Sequence, residues 1–142
     1  MAIQYKSILV AVDGSKEAQY AFHKAIDIAK RNEGSKLTIA NVFNRSAYER
    51  TTDDRAQKAS EELVSGYKSE AEAAGIENVK SVIEYGSPKT LITREIATSV
   101  GADLILCGAT GLNAVERFIT GSVTGAIVRS AKCDVLVTRK PE

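Results

Sequence analysis

The chain alternates short, apolar, β-branched segments with longer amphipathic ones, and this alternation restricts its fold more than any other feature. Five segments rich in Val, Ile and Leu are predicted as strands: Ser7–Val12, Lys36–Val42, Val79–Glu84, Asp103–Cys107 and Asp134–Thr138. The first and the fourth are almost continuously apolar, as expected for strands that are covered on both faces. Strands of this kind, separated by helices, favour a parallel sheet with right-handed crossover connections. We therefore predict an α/β fold, an open five-stranded parallel sheet with helices on both faces.

Four amphipathic stretches lie between these segments and are predicted as helices. Ala18–Ala29 carries apolar residues at alternating three- and one-residue steps, which is one face of a helix. Ser87 and Pro88 are typical of a helix start, with serine as the N-cap and proline in the first helical position, and Gly101 ends this helix. The segment Asn44–Asp54 is polar and aperiodic, so we expect a surface loop there.

Length and charge narrow the class of protein. The 142 residues fit one domain, 1–142, without a dividing linker. There are 19 Lys and Arg against 18 Asp and Glu, and a net charge of +1 gives no basic footprint for nucleic acid. The run Ile8–Val12 is too short for a signal-peptide core, and no run approaches the ~20 apolar residues of a membrane span. We expect a cytoplasmic protein that binds neither nucleic acid nor membrane.

The reactive side chains do not form a catalytic pattern. Cys107 and Cys133 lie in apolar contexts without a CxxC spacing, so they are predicted to be reduced, partly buried thiols. His23 is the only histidine and lies one position off the apolar stripe of the first helix, which predicts an exposed side chain. No Ser-His-Asp or Cys-His arrangement can be built around it. We therefore assign no catalytic residue.

A ligand site is expected where parallel sheets bind ligands, beyond the carboxyl ends of the strands at the point where the strand order reverses. Gly108 and Gly111 follow the fourth strand and permit close backbone approach and positive φ. Ser122 and Thr124 add hydroxyl groups at the start of the last helix, whose N–H groups form a seat for an anion. Because this stretch holds one cation, Arg117, a bound triphosphate would also need main-chain N–H groups, the helix dipole and a divalent ion.

These residues by themselves leave two interpretations open. The chain has neither a P-loop (GxxxxGK[ST]) nor a dinucleotide turn (GxGxxG). Gly108 and Gly111 fit a phosphate site and a plain tight turn about equally well. Asp13, directly after the first strand, is suited to accept hydrogen bonds from a ribose or to help hold a metal ion, but it also suits a turn before a Ser15 N-cap.

A family resemblance favours the nucleotide interpretation. Gly108-x-x-Gly111, nine further residues and Gly121-Ser122 have the G-x2-G-x9-G-[ST] form of the ATP-binding branch of the universal stress proteins, the UspA-like family. The chain resembles this family over almost its whole length, and the other matching segments are Lys6–Ser15, Gly86–Pro88, Gly101–Ile105 and Cys133–Val137.

The resemblance implies a Rossmann-like fold of the adenine nucleotide alpha hydrolase-like kind. It also implies bound ATP with Mg²⁺ or Mn²⁺, Asp13 being one candidate for the ion. Within the site, Asp13 would lie near the ribose, Val42 would offer main chain to the adenine, and the glycines and hydroxyls would border the phosphates. The full set of cofactor-binding residues is Val12, Asp13, Val42, Gly108, Thr110, Gly111, Gly121, Ser122, Val123 and Thr124.

The resemblance further implies a homodimer paired through the last strand, Val135–Val137. An apolar edge strand invites such pairing, although Arg139, Lys140 and Pro141 could shield the edge instead. The leading functional hypothesis is a nucleotide-binding stress-response module with at most slow ATP hydrolysis or autophosphorylation. The alternatives are an adenine-nucleotide hydrolase or transferase of related fold, and a dimeric partner-binding protein without a nucleotide.

Overall fold

Five parallel strands form one sheet in the computed structural model, which describes residues 4–43, 55–109 and 123–139. The strands are β1 (Ser7–Ala11), β2 (Lys36–Phe43), β3 (Val79–Tyr85), β4 (Leu104–Gly108) and β5 (Asp134–Thr138). Each predicted strand agrees with the observed one to within one residue at either end, and the predicted fold class is confirmed. The expected surface loop Asn44–Asp54 lies outside the described residues.

The strand order is β3-β2-β1-β4-β5. Strands β2 and β3 are therefore added on one side of β1, and β4 and β5 on the other. In register, Ala11 lies opposite Ala40 of β2, and Val10 lies between Ile39 of β2 and Leu106 of β4. The order therefore reverses between β1 and β4, and their carboxyl ends lie side by side. Ligands of open α/β sheets bind at this position.

The helices cover both faces of the sheet, as predicted. They are α1 (Lys16–Arg31), α2 (Arg55–Ala73), α3 (Pro88–Thr90), a π-helical segment (Leu91–Ile96), α4 (Ala97–Val100) and α5 (Val123–Ser130). Ser15 caps α1, since its hydroxyl accepts a hydrogen bond from the main-chain N–H of Ala18. Gly101 ends α4 with a left-handed φ of +64°. The π-helical segment is a departure from the sequence prediction, which treated 88–100 as one α-helix.

Two hydrophobic layers hold the helices to the sheet. On one face, α1 and α2 pack on alternate strand residues such as Val10 and Ile39, with Phe22 fully buried against Tyr67. On the other face, the π-helical segment and α5 pack on the intervening residues, among them Leu9 and Ile105. The alternation explains why the central strands read as continuous apolar runs, since both sets of side chains are buried.

Among the residues that the structure describes, none of the helices combines the length and the apolar content needed to cross a membrane. Both cysteines are free thiols, as the sequence predicted. Cys133 is partly buried, as expected, whereas Cys107 is more deeply buried than expected.

Candidate functional site

A short turn, held by hydrogen bonds, follows β1. Val12 is buried, and its N–H donates to the carbonyl of Ala40 at 2.9 Å, one residue beyond the end of the strand. Asp13 is exposed, and its Oδ1 accepts from the N–H of Ser15 at 2.9 Å, with Gly14 between them at φ +85°. This Asx turn leads directly into α1. The Asp13 carboxylate therefore stands at the carboxyl edge of the sheet, and within the described residues Oδ2 makes no hydrogen bond.

Gly108 ends β4, the strand beside β1, and lies against the first turn of α1. A Cβ on Gly108 would lie 2.8 Å from Glu17 Cβ and 2.9 Å from Glu17 C, which is closer than side chains can approach. The φ angle of Gly108 is not positive, so the freedom of φ expected from the sequence is not what this glycine provides. Its role in the described structure is to let the start of α1 come close to β4.

Thr124 joins the first turn of α5 to the end of β4. Its hydroxyl donates to the Gly108 carbonyl at 2.6 Å, so the proton is directed to the main chain. The sequence had placed this hydroxyl on a phosphate, and in the described structure only its oxygen lone pairs remain for a further partner. Cys107 precedes Gly108 in β4 and is buried, and this burial raises the pKa of its thiol to about 11.

Val42 lies on the other side of β1, near the end of β2, and is 91% buried. Successive residues of a parallel strand direct their main-chain groups to opposite neighbours. The Ala40 carbonyl points toward β1 and accepts from Val12 N–H, whereas the Phe43 carbonyl points toward β3 and accepts from Gly86 N–H. Val42 therefore directs its N–H and C=O toward the β1 side, at a level where β1 has already ended at Ala11.

The described structure thus brings together part of the predicted set. Val12, Asp13 and Val42 surround the end of β1. At the neighbouring end of β4, Gly108 accepts from Thr124, which follows Val123 at the start of α5. The remaining predicted residues lie outside the described residues: Thr110, Gly111, Gly121 and Ser122. In the ranges 4–43, 55–109 and 123–139, no group of three or more His, Cys, Asp or Glu side chains is arranged to hold a metal ion.

The sequence matches a known protein family over most of its length. The family model described as "Universal stress protein family" matches residues 4–139. The chain belongs to the universal stress protein family.

Individual universal stress proteins show how close the relationship is. A Staphylococcus saprophyticus protein named for the family is 51% identical, over 99% of this chain and 87% of the relative. The structure of UspA from Lactobacillus plantarum is 34% identical with a TM-score of 0.83, covering 97% of this chain and all of that one. A universal stress protein crystallised in complex with cAMP is 26% identical with a TM-score of 0.75, covering 96% and 98%.

This universal stress protein also has a polar pair that the sequence interpretation missed. Asn41 Oδ1 accepts from the hydroxyl of Ser60 in α2 at 2.7 Å, and Asn41 Nδ2 donates to Val12 O at 2.8 Å. Asn41 and Ser60 are 5% and 6% exposed. The available signal was an asparagine within the apolar strand β2, because asparagine is depleted in strands and buried amides need partners.

His23 lies away from this site, on the outer side of α1. Its side chain is 49% exposed, which confirms the expected exposure, and its Nε2 lies 2.8 Å from Glu70 Oε2 of α2. The sequence did not predict this partner. The pair links two helices and is not part of the candidate site.

Proposed function

We propose that this universal stress protein binds ATP at the carboxyl edge of its sheet and acts as a nucleotide-binding stress-response module with at most slow hydrolysis. The observation that carries the proposal is the strand order, β3-β2-β1-β4-β5, in which the ends of β1 and β4 are neighbours at the point of reversal. Asp13 follows the first of these strands and Gly108 ends the second. The related structure that contains cAMP supports an adenine nucleotide as the class of ligand.

The base would be read by main chain. Adenine carries a ring-nitrogen acceptor next to an exocyclic amino donor. The N–H and C=O of Val42 point to the same side of β2, so one residue supplies both the donor and the acceptor. The apolar surroundings of Val42 would cover the ring and strengthen these hydrogen bonds.

The ribose would be bound by Asp13. A carboxylate oxygen that is exposed and makes no hydrogen bond within the described residues fits a pair of sugar hydroxyls. The other oxygen is held by Ser15 N–H, so the carboxylate meets the ligand with its orientation already set.

The phosphates would extend toward the start of α5, where Val123 and Thr124 belong to the first turn. Gly111, Gly121 and Ser122, outside the described residues, complete the proposed phosphate set. Because residues 108–124 contain one cation, we include Mg²⁺ or Mn²⁺ in the proposal. Such an ion would supply positive charge to the phosphates, with Asp13 the candidate ligand from the protein.

We also propose a cytoplasmic homodimer paired through Val135–Val137. β5 lies at the edge of the sheet, and these three side chains are only half-buried in the single chain. Pairing would cover both the open backbone edge and apolar surface. Light scattering should give a mass near 30 kDa, twice 15.2 kDa, whereas a 15 kDa species at micromolar concentration would contradict the dimer.

The nucleotide proposal is tested by purifying the protein without added nucleotide, denaturing it and identifying what is released. ATP is then titrated with and without Mg²⁺, and Gly121→Val serves as the variant expected to lose binding with the fold retained. No released nucleotide and no binding at millimolar ATP would refute the proposal. Phosphate release at an ordinary enzymatic turnover would favour the hydrolase alternative.

A further inference from the structure

The β1–β2 hydrogen-bond ladder ends in an unusual way beside the candidate site. In a parallel ladder, a residue that donates to one partner residue accepts from the partner two positions further on. Val12 N–H donates to Ala40 O, so Val12 O is expected to accept from Val42 N–H. Within the described residues, that last bond is not among the main-chain hydrogen bonds. The side-chain amide of Asn41 donates to Val12 O in its place, at 2.8 Å.

We propose that Asn41, held by Ser60, is a positioning residue that ends the ladder one bond early and so keeps the Val42 N–H available to a ligand acceptor. This inference rests on the proposed function and deepens it, because it names what presents the donor to the adenine ring. Without the Asn41 amide, Val12 O would be a buried carbonyl lacking a donor, and Val42 N–H is the nearest ladder partner to satisfy it.

The Ser60 hydroxyl fixes which way the Asn41 side chain faces. The carboxamide has a donor end and an acceptor end of nearly equal shape. By donating to Oδ1 at 2.7 Å, Ser60 assigns the oxygen to the α2 side and leaves Nδ2 directed to Val12. Both side chains are at least 94% buried, so solvent does not replace either bond readily. The start of α2 is thereby connected to the Val12–Asp13 turn through three consecutive groups.

Slower hydrogen exchange at the Val42 amide would distinguish this positioning role from a merely structural one. In Asn41→Leu, a side chain of similar size without polar atoms, we expect Val42 N–H to bond to Val12 O. Its hydrogen exchange, measured by NMR on the nucleotide-free protein, should become slower by about tenfold relative to neighbouring β2 amides. General destabilisation would instead speed exchange at Val42 together with its neighbours.

Nucleotide affinity gives the second measurement. A ligand must break the new Val42–Val12 bond in Asn41→Leu, so the Kd for ATP should rise roughly five- to tenfold. Ser60→Ala, which leaves Asn41 in place but unanchored, should raise it about threefold. If the hydroxyl acts through Asn41, Ser60→Ala should cause no further loss in the Asn41→Leu background.

Ser7→Ala is the matched control. It removes a buried serine hydroxyl bond of the same kind, 2.9 Å to Val100 O, at the opposite edge of the sheet. We expect it to lower stability comparably and to leave both Val42 exchange and the Kd for ATP unchanged. Ser60→Ala provides the same two measurements should Asn41→Leu fail to fold.

The outcomes separate the two proposals. Faster exchange at Val42 in Asn41→Leu, or Kd values for ATP within twofold of wild type in both variants, would overturn the positioning role while leaving ATP binding intact. A wild-type protein that binds no ATP would overturn the proposed function and the affinity part of this inference. Slower Val42 exchange would then still support the assigned ending of the ladder.

Discussion

Replacing Gly108 with alanine tests the close contact between β4 and the start of α1. The added Cβ would lie 2.8 Å from Glu17 Cβ, 2.9 Å from Glu17 C and 3.0 Å from Glu17 O. Non-bonded carbon atoms are comfortable at about 3.5 Å, so the helix and the strand would have to separate by roughly 0.6 Å. Two of the three opposing atoms are main chain, so rotation of the Glu17 side chain cannot relieve the contact.

The expected cost is that of overpacking a well-packed interior, about 1–3 kcal/mol. Taking about 2 kcal/mol for Gly108→Ala, the midpoint of thermal unfolding should fall by about 7 °C for a chain of this length. The same separation would move the Asp13 turn away from Gly108, so the Kd for ATP should also rise. The free energy of unfolding is measured by urea denaturation followed by circular dichroism, without nucleotide.

Gly66→Ala is the control for the loss of a glycine. Gly66 lies exposed within α2, its φ is not positive, and a Cβ there would have no heavy atom within 4 Å. Alanine should therefore stabilise the protein, by about 0.8 kcal/mol from helix propensity. The two glycine-to-alanine changes are thus expected to have opposite signs. A Gly108→Ala protein within 0.5 kcal/mol of wild type would refute the packing argument.

Three further predictions concern other side chains, none of them assigned to the ligand. Burial raises the pKa of the Cys107 thiol to about 11, so as the pH rises the unfolded chain loses this proton before the folded chain does, near pH 9. The contribution of the buried neutral thiol to the free energy of unfolding is therefore complete below pH 9 and is lost toward pH 11. Cys107→Ala should therefore show a smaller fall in the free energy of unfolding over that range, and an identical fall would contradict the assignment. A double-mutant cycle on His23 and Glu70 should give a coupling of about 0.2–1 kcal/mol that shrinks in 1 M NaCl, since both side chains are half exposed. Asp103→Ala removes the acceptor of two main-chain N–H groups at the start of β1, at 2.8 and 3.1 Å, and should cost about 1–3 kcal/mol in urea denaturation, whereas no measurable loss would show that water replaces both bonds.

The strands and the fold class followed from local pattern because the central strands are buried on both faces. A run such as Ile8–Val10 has no polar interruption, and burial on both sides is what permits that. The π-helical segment was not predictable from spacing, since Ile92 and Ile96 are equally compatible with an α-helix. Asp13 directly follows one predicted strand and Val42 ends another, so the sequence placed both at the carboxyl edge of the sheet, whereas their proposed roles came from the family resemblance.

Long-range side-chain pairing could not be read from the sequence. Asn41 and Ser60 are 19 positions apart, and His23 and Glu70 are 47 apart, so no local period connects either pair. Gly108 was assigned a role at a ligand, whereas its contact with Glu17 depends on how closely α1 approaches β4. Such distances are set by the packing of whole elements.

The near-neutral charge of the chain restricts how the proposed polyanion could be bound. With 19 basic against 18 acidic residues, and one cation in 108–124, side-chain charge cannot balance a triphosphate. Main-chain N–H groups carry no net charge and need fixed positions to be effective, because their dipoles act only when they point at the ligand. In the described structure, polar side-chain contacts around the candidate site hold these groups in fixed positions. The Asx turn orients Asp13, Thr124 ties α5 to Gly108, and Asn41 ends the ladder beside Val42. A site built from main chain thus requires buried polar side chains that bond to the protein, which accounts for an asparagine in the middle of an apolar strand.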